Sequence, residues 1–483
     1  MELLSLTNGL HDTNMSYFDG ERVYYYKPER DLQIKHFPQK QTNKDSIKIL
    51  EKHLNEVHNT SFANFDKNQI IFNNKLRHHY AHALSVEAIC DKKIDYNFVI
   101  DGHGGDVSWA VFKNENCIEK GTYSLCGSMG HGINYLAECL DIKDNILDNA
   151  GKLMGLQSYG NIDYDYLKII QNYDMYSLGT IYNKISENDK LFSFKRWVEH
   201  KKDKVDAYNT RIDWAKTVHY RCGEIILNHF KKYAKAEDVV GYSGGCAQNI
   251  IWNTLLKQNF PNLVIYPHCG DEGISLGGIE FLRKLNNLPK FQSSNFPYMQ
   301  SDEKPKTDIS DSNVLKIAQL LATGKIVAWY NGFGEIGPRA LGNRSILVDP
   351  RIKHSRDKIN EIKKREFYRP FGASVLEEYK KEYFDLNYDN PYMLYVGKTL
   401  KPNLESITHV DGTCRAQTVN KDNKSFRKLL EEFYKLTECP VLLNTSLNVS
   451  GKPIAGRTRD AKEIFINNPI DVLSIGDEIY IKR

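Results

Sequence analysis

The sequence predicts an α/β protein of two domains, and three observations support this prediction. Short β-prone runs lead into glycine-rich turns and alternate with helical segments. One unit of strand, glycine turn and hairpin near the N-terminus recurs about 94 residues later. A polar, loop-like stretch at residues 291–313 interrupts the pattern. We therefore expect a first domain at residues 1–295, a linker at 296–313 and a second domain at 314–483.

The composition argues against several classes of protein. The formal net charge of +4 over 483 residues gives no reason to expect a nucleic-acid or membrane partner. The nine cysteines form no CxxC pair, which argues against a structural zinc module and favours a reducing compartment. The N-terminus lacks the features of a secretory signal, and no run of about 18 apolar residues would span a membrane. We expect a cytoplasmic protein with no membrane partner.

The recurring unit begins with a short strand at residues 2–6, which leads into a turn that contains His11 and Asp12. An Asp-Gly turn between β-prone runs then indicates a hairpin. The second copy has a strand at residues 95–99 and a glycine-rich turn that ends at Asp106, which aligns with Asp12. Two ordinary hairpins would also give this pattern, but the pair favours a duplicated unit. Such turns expose backbone N–H groups to which a phosphate can bind.

Further glycine turns follow later strands in the same part of the chain. The segment at residues 241–249 lies between an apolar strand and a helical segment, an arrangement that can bind an anion. The segment at residues 263–285 again runs from a strand through a polar loop into a helix. Several such loops over about 270 residues resemble the actin-like ATPase fold, in which two α/β halves surround a nucleotide. The candidate nucleotide-binding residues are Gly102, Gly104, Asp106, Gly244, Gly245 and Asn249.

Two histidines and two aspartates form a candidate metal site. His78 and His82 are four residues apart, so on a helix their imidazoles project from one face. A surface or capping role is the alternative for such a pair alone. Asp101 ends a strand and Asp271 lies at a strand–helix turn, so in the actin-like fold both carboxylates would open onto the same cleft. This donor set suits Fe²⁺ or Mn²⁺ and is less characteristic of Zn²⁺ sites.

The C-terminal part carries basic and amide residues in glycine- and proline-rich segments. A helix at residues 314–322 and a strand at 325–330 precede a loop in which Arg339 and Arg344 lie five residues apart. Two arginines at this spacing can bind an oxyanion as a bidentate clamp. Surface arginines in salt bridges are the alternative, but their density favours a pocket for a small polyanion. The further candidates for this pocket are Lys363, Arg365, Arg415, Asn444 and Ser446.

These motifs together resemble the O-carbamoyltransferases of the nodulation-protein, cephamycin and tobramycin type, over nearly the whole chain. The most specific stretches are GPRALGNRSILVDPR (337–351), KREFYRPFGASVL (364–376), HVDGTCRAQTV (409–419) and NTSLNVSGKPI (444–454). Supporting motifs are GLHD (9–12), HHYAH (78–82) and SGGCAQN (243–249). The chain departs from the family at Phe333, where an arginine is often found, and RPFGAS replaces the commoner RPFAPS.

The resemblance implies a fold and an activity. The first domain would be actin-like, as in the threonylcarbamoyl-transferring tRNA enzymes, and the second would have the twisted α/β fold of the enzymes that make threonylcarbamoyl-adenylate. The implied activity is ATP-dependent transfer of a carbamoyl group from carbamoyl phosphate, through carbamoyl-adenylate, to a hydroxyl. The implied cofactors are ATP with Mg²⁺ and a bound divalent metal, with Fe²⁺ preferred to Mn²⁺. The acceptor would be a sugar, a natural product or a modified nucleoside, and a homodimer remains open.

The resemblance also implies roles for single residues. The metal ligands would be His78, His82, Asp101 and Asp271, and the catalytic residues would be His11 and Asp12. The activation pocket would contain Lys363, Arg365, Arg415 and Asn444. Two functions compete: threonylcarbamoyl-type transfer to tRNA or another nucleic acid, and a nucleotide-binding scaffold without activity. The C-terminal motifs and the lack of a strongly basic face argue against the first, and the intact metal set argues against the second.

Overall fold

The structure is a computed structural model that describes residues 1–8, 11–38, 43–122, 128–143, 145–172, 178, 191–201, 208–292 and 295–482. Gly9 and Leu10 of the GLHD motif lie outside these residues. The chain forms two compact units, of which one comprises Met1–Lys75 with Gly278–Arg483 and the other Leu76–Gly277. The first 75 residues therefore pack with the C-terminal part. The linear division at residues 295 and 313 stays a prediction.

The N-terminal sheet has four strands, which are β1 (Leu3–Thr7), β2 (Asn14–Phe18), β3 (Val23–Tyr26) and β4 (Ile70–Phe72). Their order is β3-β2-β1-β4, and all pairs are antiparallel except the parallel pair β1–β4. Helix α1 (Pro28–Leu32) follows β3, and helix α2 (Asn43–His58) precedes β4. Leu50 and Leu54 of α2 share an apolar core with Leu4 and Leu6 of β1. Burial of this apolar stripe fixes the face of α2 that lies on the sheet.

The second unit contains a five-stranded sheet with the order β7-β6-β5-β8-β9. Its strands are β5 (Tyr96–Gly104), β6 (Val107–Lys113), β7 (Asn116–Thr122), β8 (Val240–Ser243) and β9 (Leu263–Val264). The helices along this part of the chain are α3 (His78–Ile89), α4 (Met129–Cys139), α5 (Ile146–Leu156), α6 (Tyr164–Gln171), α7 (Phe194–Lys201), α8 (Tyr208–Tyr233), α9 (Ile250–Asn259) and α10 (Ile274–Leu285).

The hairpins of these two sheets repeat with the same register. Leu3 pairs with Phe18 in the first sheet, and Asn97 pairs with Phe112 in the second, so both partners are displaced by 94 positions. In each sheet the first strand also has a parallel neighbour, β4 beside β1 and β8 beside β5. This repeated topology confirms the predicted α/β class with an actin-like N-terminal part.

An eight-stranded mixed sheet forms the C-terminal part of the first unit, in the order β13-β14-β12-β15-β11-β10-β16-β17. Its strands are β10 (Val327–Tyr330), β11 (Arg344–Val348), β12 (Gly372–Leu376), β13 (Gly397–Lys398), β14 (Thr413–Val419), β15 (Val441–Ser446), β16 (Val472–Ile475) and β17 (Glu478–Ile481). Its helices are α11 (Asp311–Ala322), α12 (Ser355–Lys363), α13 (Lys380–Tyr383), α14 (Lys424–Thr437) and α15 (Thr458–Asn467). The predicted helix and strand before the arginine loop correspond to α11 and β10.

The core of this sheet is apolar. Ile317 of α11, Leu430 of α14, Ile346 of β11 and Leu473 of β16 are completely buried in it. Burial of each such side chain stabilises the fold by about 1.5–3 kcal/mol, so these contacts determine how the helices lie on the strands. Within the described residues, no helix has the length and apolarity needed to cross a membrane.

Candidate metal centre and anion pocket

The four predicted metal ligands lie together in the second unit. Helix α3 places the Nε2 atoms of His78 and His82 3.1 Å apart. Oδ2 of Asp101 lies 3.0 Å from Nε2 of His78, and Oδ1 of Asp271 lies 3.2 Å from Nε2 of His82. All four ligand atoms lie within 4.8 Å of one another. The cluster combines two imidazoles with two carboxylates, which is the donor set expected to suit Fe²⁺ or Mn²⁺.

Backbone N–H groups orient the carboxylate of Asp101. Its Oδ1 accepts hydrogen bonds from the amides of Gly102 (2.8 Å) and Gly245 (2.9 Å), while its Oδ2 faces the histidines. The preceding Gly244 has a φ of +90°, and a Cβ there would lie 2.3 Å from the carbonyl oxygen of Ile100. Only glycine lets this turn pass so close to the strand that carries Asp101.

Close packing also fixes the position of α3. A Cβ on Gly104 would lie 2.2 Å from the ring of His78. A Cβ on Gly277, in α10, would lie 2.0 Å from the carbonyl oxygen of Ala81. Glycine at both positions therefore allows α3 to approach β5 and α10 closely enough to bring its histidines to the aspartates.

Burial and opposite charge set the ionisation of the cluster. Burial opposes ionisation of Asp101, but His78 and His82 hold the pKa of its carboxyl well below the usual range. Burial likewise opposes charge on His82, yet Asp101 and Asp271 raise its pKa to about 10. The two carboxylates thus require bound positive charge, which protons or a divalent ion can supply. A metal ion would satisfy all four donors at once, so these residues fit such a group.

The candidate nucleotide-binding residues of the glycine-rich turns make different contacts. The amides of Gly102 and Gly245 bind a carboxylate of the metal cluster. The side chain of Asn249 accepts hydrogen bonds from two amides in the first turn of α9 and therefore caps that helix. Asp106 is exposed in the turn between β5 and β6. The role of these residues in nucleotide binding stays a prediction.

His11 and Asp12 lie between β1 and β2, in the first unit. Nδ1 of His11 donates to Oδ2 of Asp12 over 2.7 Å, which selects the tautomer whose basic nitrogen is Nε2. Nζ of Lys27 donates to the other oxygen of the carboxylate over 2.6 Å. Burial opposes ionisation of Asp12, but Lys27 and His11 hold the pKa of its carboxyl far below the usual range. Sequence reasoning did not identify Lys27.

The predicted activation residues meet on one face of the C-terminal sheet. Asn444 of β15, Gly372 of β12 and Arg415 of β14 are successive cross-strand neighbours, so their side-chain positions share a face. Nδ2 of Asn444 donates to the hydroxyl of Ser374 (2.9 Å), which donates to Oε1 of Gln417 (2.8 Å). Oδ1 of Asn444 is buried and has no hydrogen-bond partner among the described residues. The face thus offers a buried amide oxygen beside an arginine.

Arginines surround this face. Arg415 is half-buried, and its Nε finds no hydrogen-bond acceptor in the part of the chain that the structure describes. Burial and the charges of Arg339, Arg365 and Arg369 hold the pKa of Arg415 well below its usual range. Burial and the charge of Arg369 also lower the pKa of Arg365 to about 9. Like charges held together away from water favour the binding of an anion.

Lys363 joins the end of α12 to the segment after β15. Its ammonium donates to the carbonyl oxygen (2.7 Å) and the hydroxyl (3.1 Å) of Ser446, and to both oxygens of Asn448. Burial and the charges of Arg365 and Arg369 hold the pKa of Lys363 well below its usual range. Lys363 and Ser446 therefore lie together, with the ammonium bound to protein oxygens.

The predicted clamp of Arg339 and Arg344 is not formed. Arg344 is completely buried, and its Nη1 donates to the carbonyl oxygen of Asn331 (2.8 Å). Its Nη2 donates to the carbonyl oxygen of Glu303 (2.9 Å) and to the carboxylate of Asp302 (3.2 Å). Protein acceptors thus occupy both terminal nitrogens of Arg344. The spacing of two arginines in a sequence does not reveal which of them is enclosed by its own loop.

Glu335 organises the loop that carries Arg339. Its Oε1 accepts hydrogen bonds from three backbone amides, those of Leu341 (2.6 Å), Asn343 (3.2 Å) and Arg344 (3.3 Å). The carboxylate is completely buried, so these donors replace water. These buried hydrogen bonds therefore fix the conformation of the loop that carries Arg339.

Comparison with known families decides the class of protein. The family model described as Carbamoyltransferase N-terminus matches residues 25–279, and the one described as Carbamoyltransferase C-terminus matches residues 318–482. This chain belongs to the carbamoyltransferase family. The match confirms the predicted family. Together with the O-carbamoyltransferases among its relatives, it also confirms the prediction of an O-carbamoyltransferase enzyme.

Curated relatives of this carbamoyltransferase agree with that class. Nodulation protein NolO of Bradyrhizobium diazoefficiens is 28% identical over 438 residues, which cover 84% of this chain and 79% of that protein. The 3'-hydroxymethylcephem-O-carbamoyltransferase of Amycolatopsis lactamdurans is 31% identical over 353 residues, which cover 69% of this chain and 65% of that enzyme. The match thus spans just under two thirds of the cephem enzyme. Among solved structures, component A of (R)-2-hydroxyglutaryl-CoA dehydratase from Acidaminococcus fermentans has a TM-score of 0.36 and 14% identity, covering 59% of this chain and 99% of that chain.

Sequence reasoning also missed other residues of the sheet face in this carbamoyltransferase. Strand periodicity could have found Ser374 and Gln417, because each lies two positions beyond Gly372 or Arg415 and therefore on the same face. Glu335 gives no comparable signal, because its partners are backbone amides of a folded loop.

Proposed function

We propose that this carbamoyltransferase joins the carbamoyl group of carbamoyl phosphate to AMP and then transfers it to the hydroxyl of an acceptor. The observation that carries this proposal is the group of arginines near Arg415, on the sheet face that also holds the buried Oδ1 of Asn444. Arginine binds phosphate oxygens through charge-assisted hydrogen bonds. An amide oxygen can accept a hydrogen bond from the NH₂ of a carbamoyl group. The sheet face therefore matches both ends of carbamoyl phosphate.

Activation of the carbamoyl group takes place in two steps. Water takes the phosphoryl group of carbamoyl phosphate and leaves carbamate. A carbamate oxygen then attacks the α-phosphorus of ATP and displaces diphosphate, which gives carbamoyl-adenylate. In this proposal Arg339, Arg365 and Arg415 bind the phosphate oxygens, and ATP brings Mg²⁺. Exclusion of water protects the reactive mixed anhydride.

We assign the base for the transfer step to His11. Asp12 holds the Nδ1–H of His11, so Nε2 can accept the proton of the acceptor hydroxyl. The hydroxyl oxygen then attacks the carbamoyl carbon, and AMP leaves. Asp12 keeps the imidazole in the required tautomer and orientation.

The four-residue cluster is the proposed metal site. Its mixed nitrogen and oxygen donors suit Fe²⁺ or Mn²⁺, and the resemblance to the O-carbamoyltransferases favours Fe²⁺. The residues that would hold the ion are His78, His82, Asp101 and Asp271. A divalent ion bound there would supply positive charge that offsets the charge of a leaving phosphate. The amides of Gly102 and Gly245 would keep one carboxylate in orientation.

The proposed acceptor is a sugar hydroxyl, ahead of a hydroxyl on another natural product or on a modified nucleoside. One relative is a nodulation protein and another is a hydroxymethylcephem O-carbamoyltransferase, so the family includes an enzyme for a small hydroxymethyl compound. We place the reaction in the cytoplasm, where ATP and carbamoyl phosphate are available.

Diphosphate release tests the activation half of this proposal. We expect purified protein to release diphosphate only when ATP and carbamoyl phosphate are both present. A mass-spectrometric screen of candidate alcohols should then find a product heavier by the mass of a carbamoyl group less one hydrogen. Release that is independent of carbamoyl phosphate would contradict the proposed donor.

A further inference from the structure

Lys27 lies at the centre of a charged cluster in the first unit. Its ammonium is 2.6 Å from Oδ1 of Asp12 and 3.5 Å from Oε2 of Glu29. The other oxygen of Asp12 accepts the hydrogen bond from Nδ1 of His11. The side chains of Lys27 and Asp12 are only 15% and 13% exposed, so water does little to screen this pair. The ammonium thus compensates a carboxylate that touches the proposed base.

The backbone next to Lys27 is anchored to the C-terminal part of the same unit. Lys27 immediately precedes α1. In that helix, Arg30 donates to the carbonyl oxygen of Gly337 (3.0 Å), and Asp31 forms an ion pair with Arg457 (3.2 Å). These contacts hold α1 in place, so Lys27 reaches Asp12 from a fixed position.

A second metal ion is the alternative occupant of this cluster. Ligand atoms of Asp12, Glu29 and His36 lie within 4.8 Å of one another. However, the ammonium of Lys27 already lies against both carboxylates and would repel another cation. The amide of His36 also donates to Glu29 (2.8 Å). The geometry favours lysine as the cation of this cluster.

We propose that Lys27 is a positioning residue for carbamoyl transfer, because it fixes one oxygen of Asp12 while the other holds His11. This inference rests on the proposed role of His11 as the transfer base. Without the ammonium, the carboxylate of Asp12 would draw a proton onto His11, since an opposite charge within about 4–6 Å favours the imidazolium tenfold or more. A protonated His11 cannot accept the proton of a hydroxyl. Lys27 therefore keeps the base in its working form.

Acylation by diethyl pyrocarbonate tests this inference without any acceptor, because the reagent attacks neutral imidazole. His11 is 33% exposed and open to the reagent, and His354, at 66%, serves as an internal reference. Peptide mass spectrometry of the full chain gives the ratio of the two acylation rates. We expect Lys27→Met to lower the His11 to His354 ratio about tenfold. Lys27→Arg, which keeps the charge, should retain most of the ratio.

A double variant separates charge compensation from a loss of local structure. In Lys27→Met/Asp12→Asn the uncompensated carboxylate is absent, so acylation of His11 should return towards the wild-type ratio. An unchanged ratio in Lys27→Met would overturn the inference, as would an equal fall in Lys27→Arg or no recovery in the double variant. These ratios need neither ATP nor carbamoyl phosphate. Failure of the proposed function would appear separately, as absent diphosphate release by the wild type.

Discussion

The Nε2 atoms of His78 and His82 lie 3.1 Å apart, and each lies 3.0–3.6 Å from carboxylate oxygens of both Asp101 and Asp271. Two imidazole nitrogens at that distance can share only one hydrogen. The four side chains therefore converge on a position that suits a cation, and the surrounding glycines leave room for that convergence.

The first prediction concerns metal content. The double variant His78→Ala/His82→Ala should lose the bound metal, because it removes both nitrogen donors and leaves two carboxylates alone. Elemental analysis of the purified protein measures this. His103→Ala, an exposed histidine outside the cluster, is the matched control and should keep the metal. Equal metal content in the double variant and the wild type would rule out the site.

The second prediction concerns the approach of β5 to α3. Gly104→Ala should weaken metal binding about 10- to 100-fold, because its Cβ would lie 2.2 Å from the ring of His78. Gly102→Ala is the control, since its Cβ would meet only the ring of His131 at 4.0 Å. Titration of metal-free protein with Fe²⁺ or Mn²⁺ measures both affinities. Similar affinities for the two variants would show that the contact does not constrain the ligand.

The third prediction concerns the loop that carries Arg339. Glu335→Gln should lower the free energy of unfolding by about 1–3 kcal/mol, because a buried carboxylate that accepts three amide hydrogen bonds is replaced by a neutral group. Urea unfolding measures the change. The exposed Glu405→Gln should stay within about 0.5 kcal/mol of the wild type. A loss of similar size in both variants would show that Glu335 has no special role.

The fourth prediction separates stability from ligand binding at Arg415. Arg415→Met should melt no lower than the wild type without ligands, because it removes a half-buried cation among like charges. A ligand at one hundred times its Kd stabilises a protein by about 2.7 kcal/mol. ATP with carbamoyl phosphate should therefore raise the melting temperature of the wild type but not of Arg415→Met. Equal ligand-induced shifts would place the anion site elsewhere.

Local patterns in the sequence predicted much of the fold. The strand, turn and hairpin signals predicted both copies of the repeated unit. The offset of 94 positions between the copies relates the pair Leu3–Phe18 to the pair Asn97–Phe112 in the two sheets. The meeting of the four candidate metal ligands was also predictable, because the spacing of His78 and His82 defines one helix face. Asp101 lies within β5, three residues before its end, and Asp271 begins the turn that leads into α10.

Features that depend on long-range packing were not predictable in the same way. The eight-stranded sheet places β12 between β14 and β15, an order that no local pattern specifies. Arg344 resembles a ligand-binding arginine in the sequence, but it is buried by its own loop and by the segment that contains Asp302. Lys27 lies fifteen positions from Asp12, and only the folded chain shows that its ammonium meets that carboxylate.

The central claim is that activation and transfer use different residues. The most direct test compares diphosphate release and carbamoyl transfer in two variants. Both rates are measured with ATP, carbamoyl phosphate and an alcohol identified in the acceptor screen. Arg415→Ala should lose diphosphate release and transfer together. His11→Ala should keep diphosphate release and lose transfer by about 10²- to 10⁴-fold, the usual contribution of a general base. Loss of diphosphate release in a folded His11→Ala protein, or its persistence in Arg415→Ala, would contradict the account.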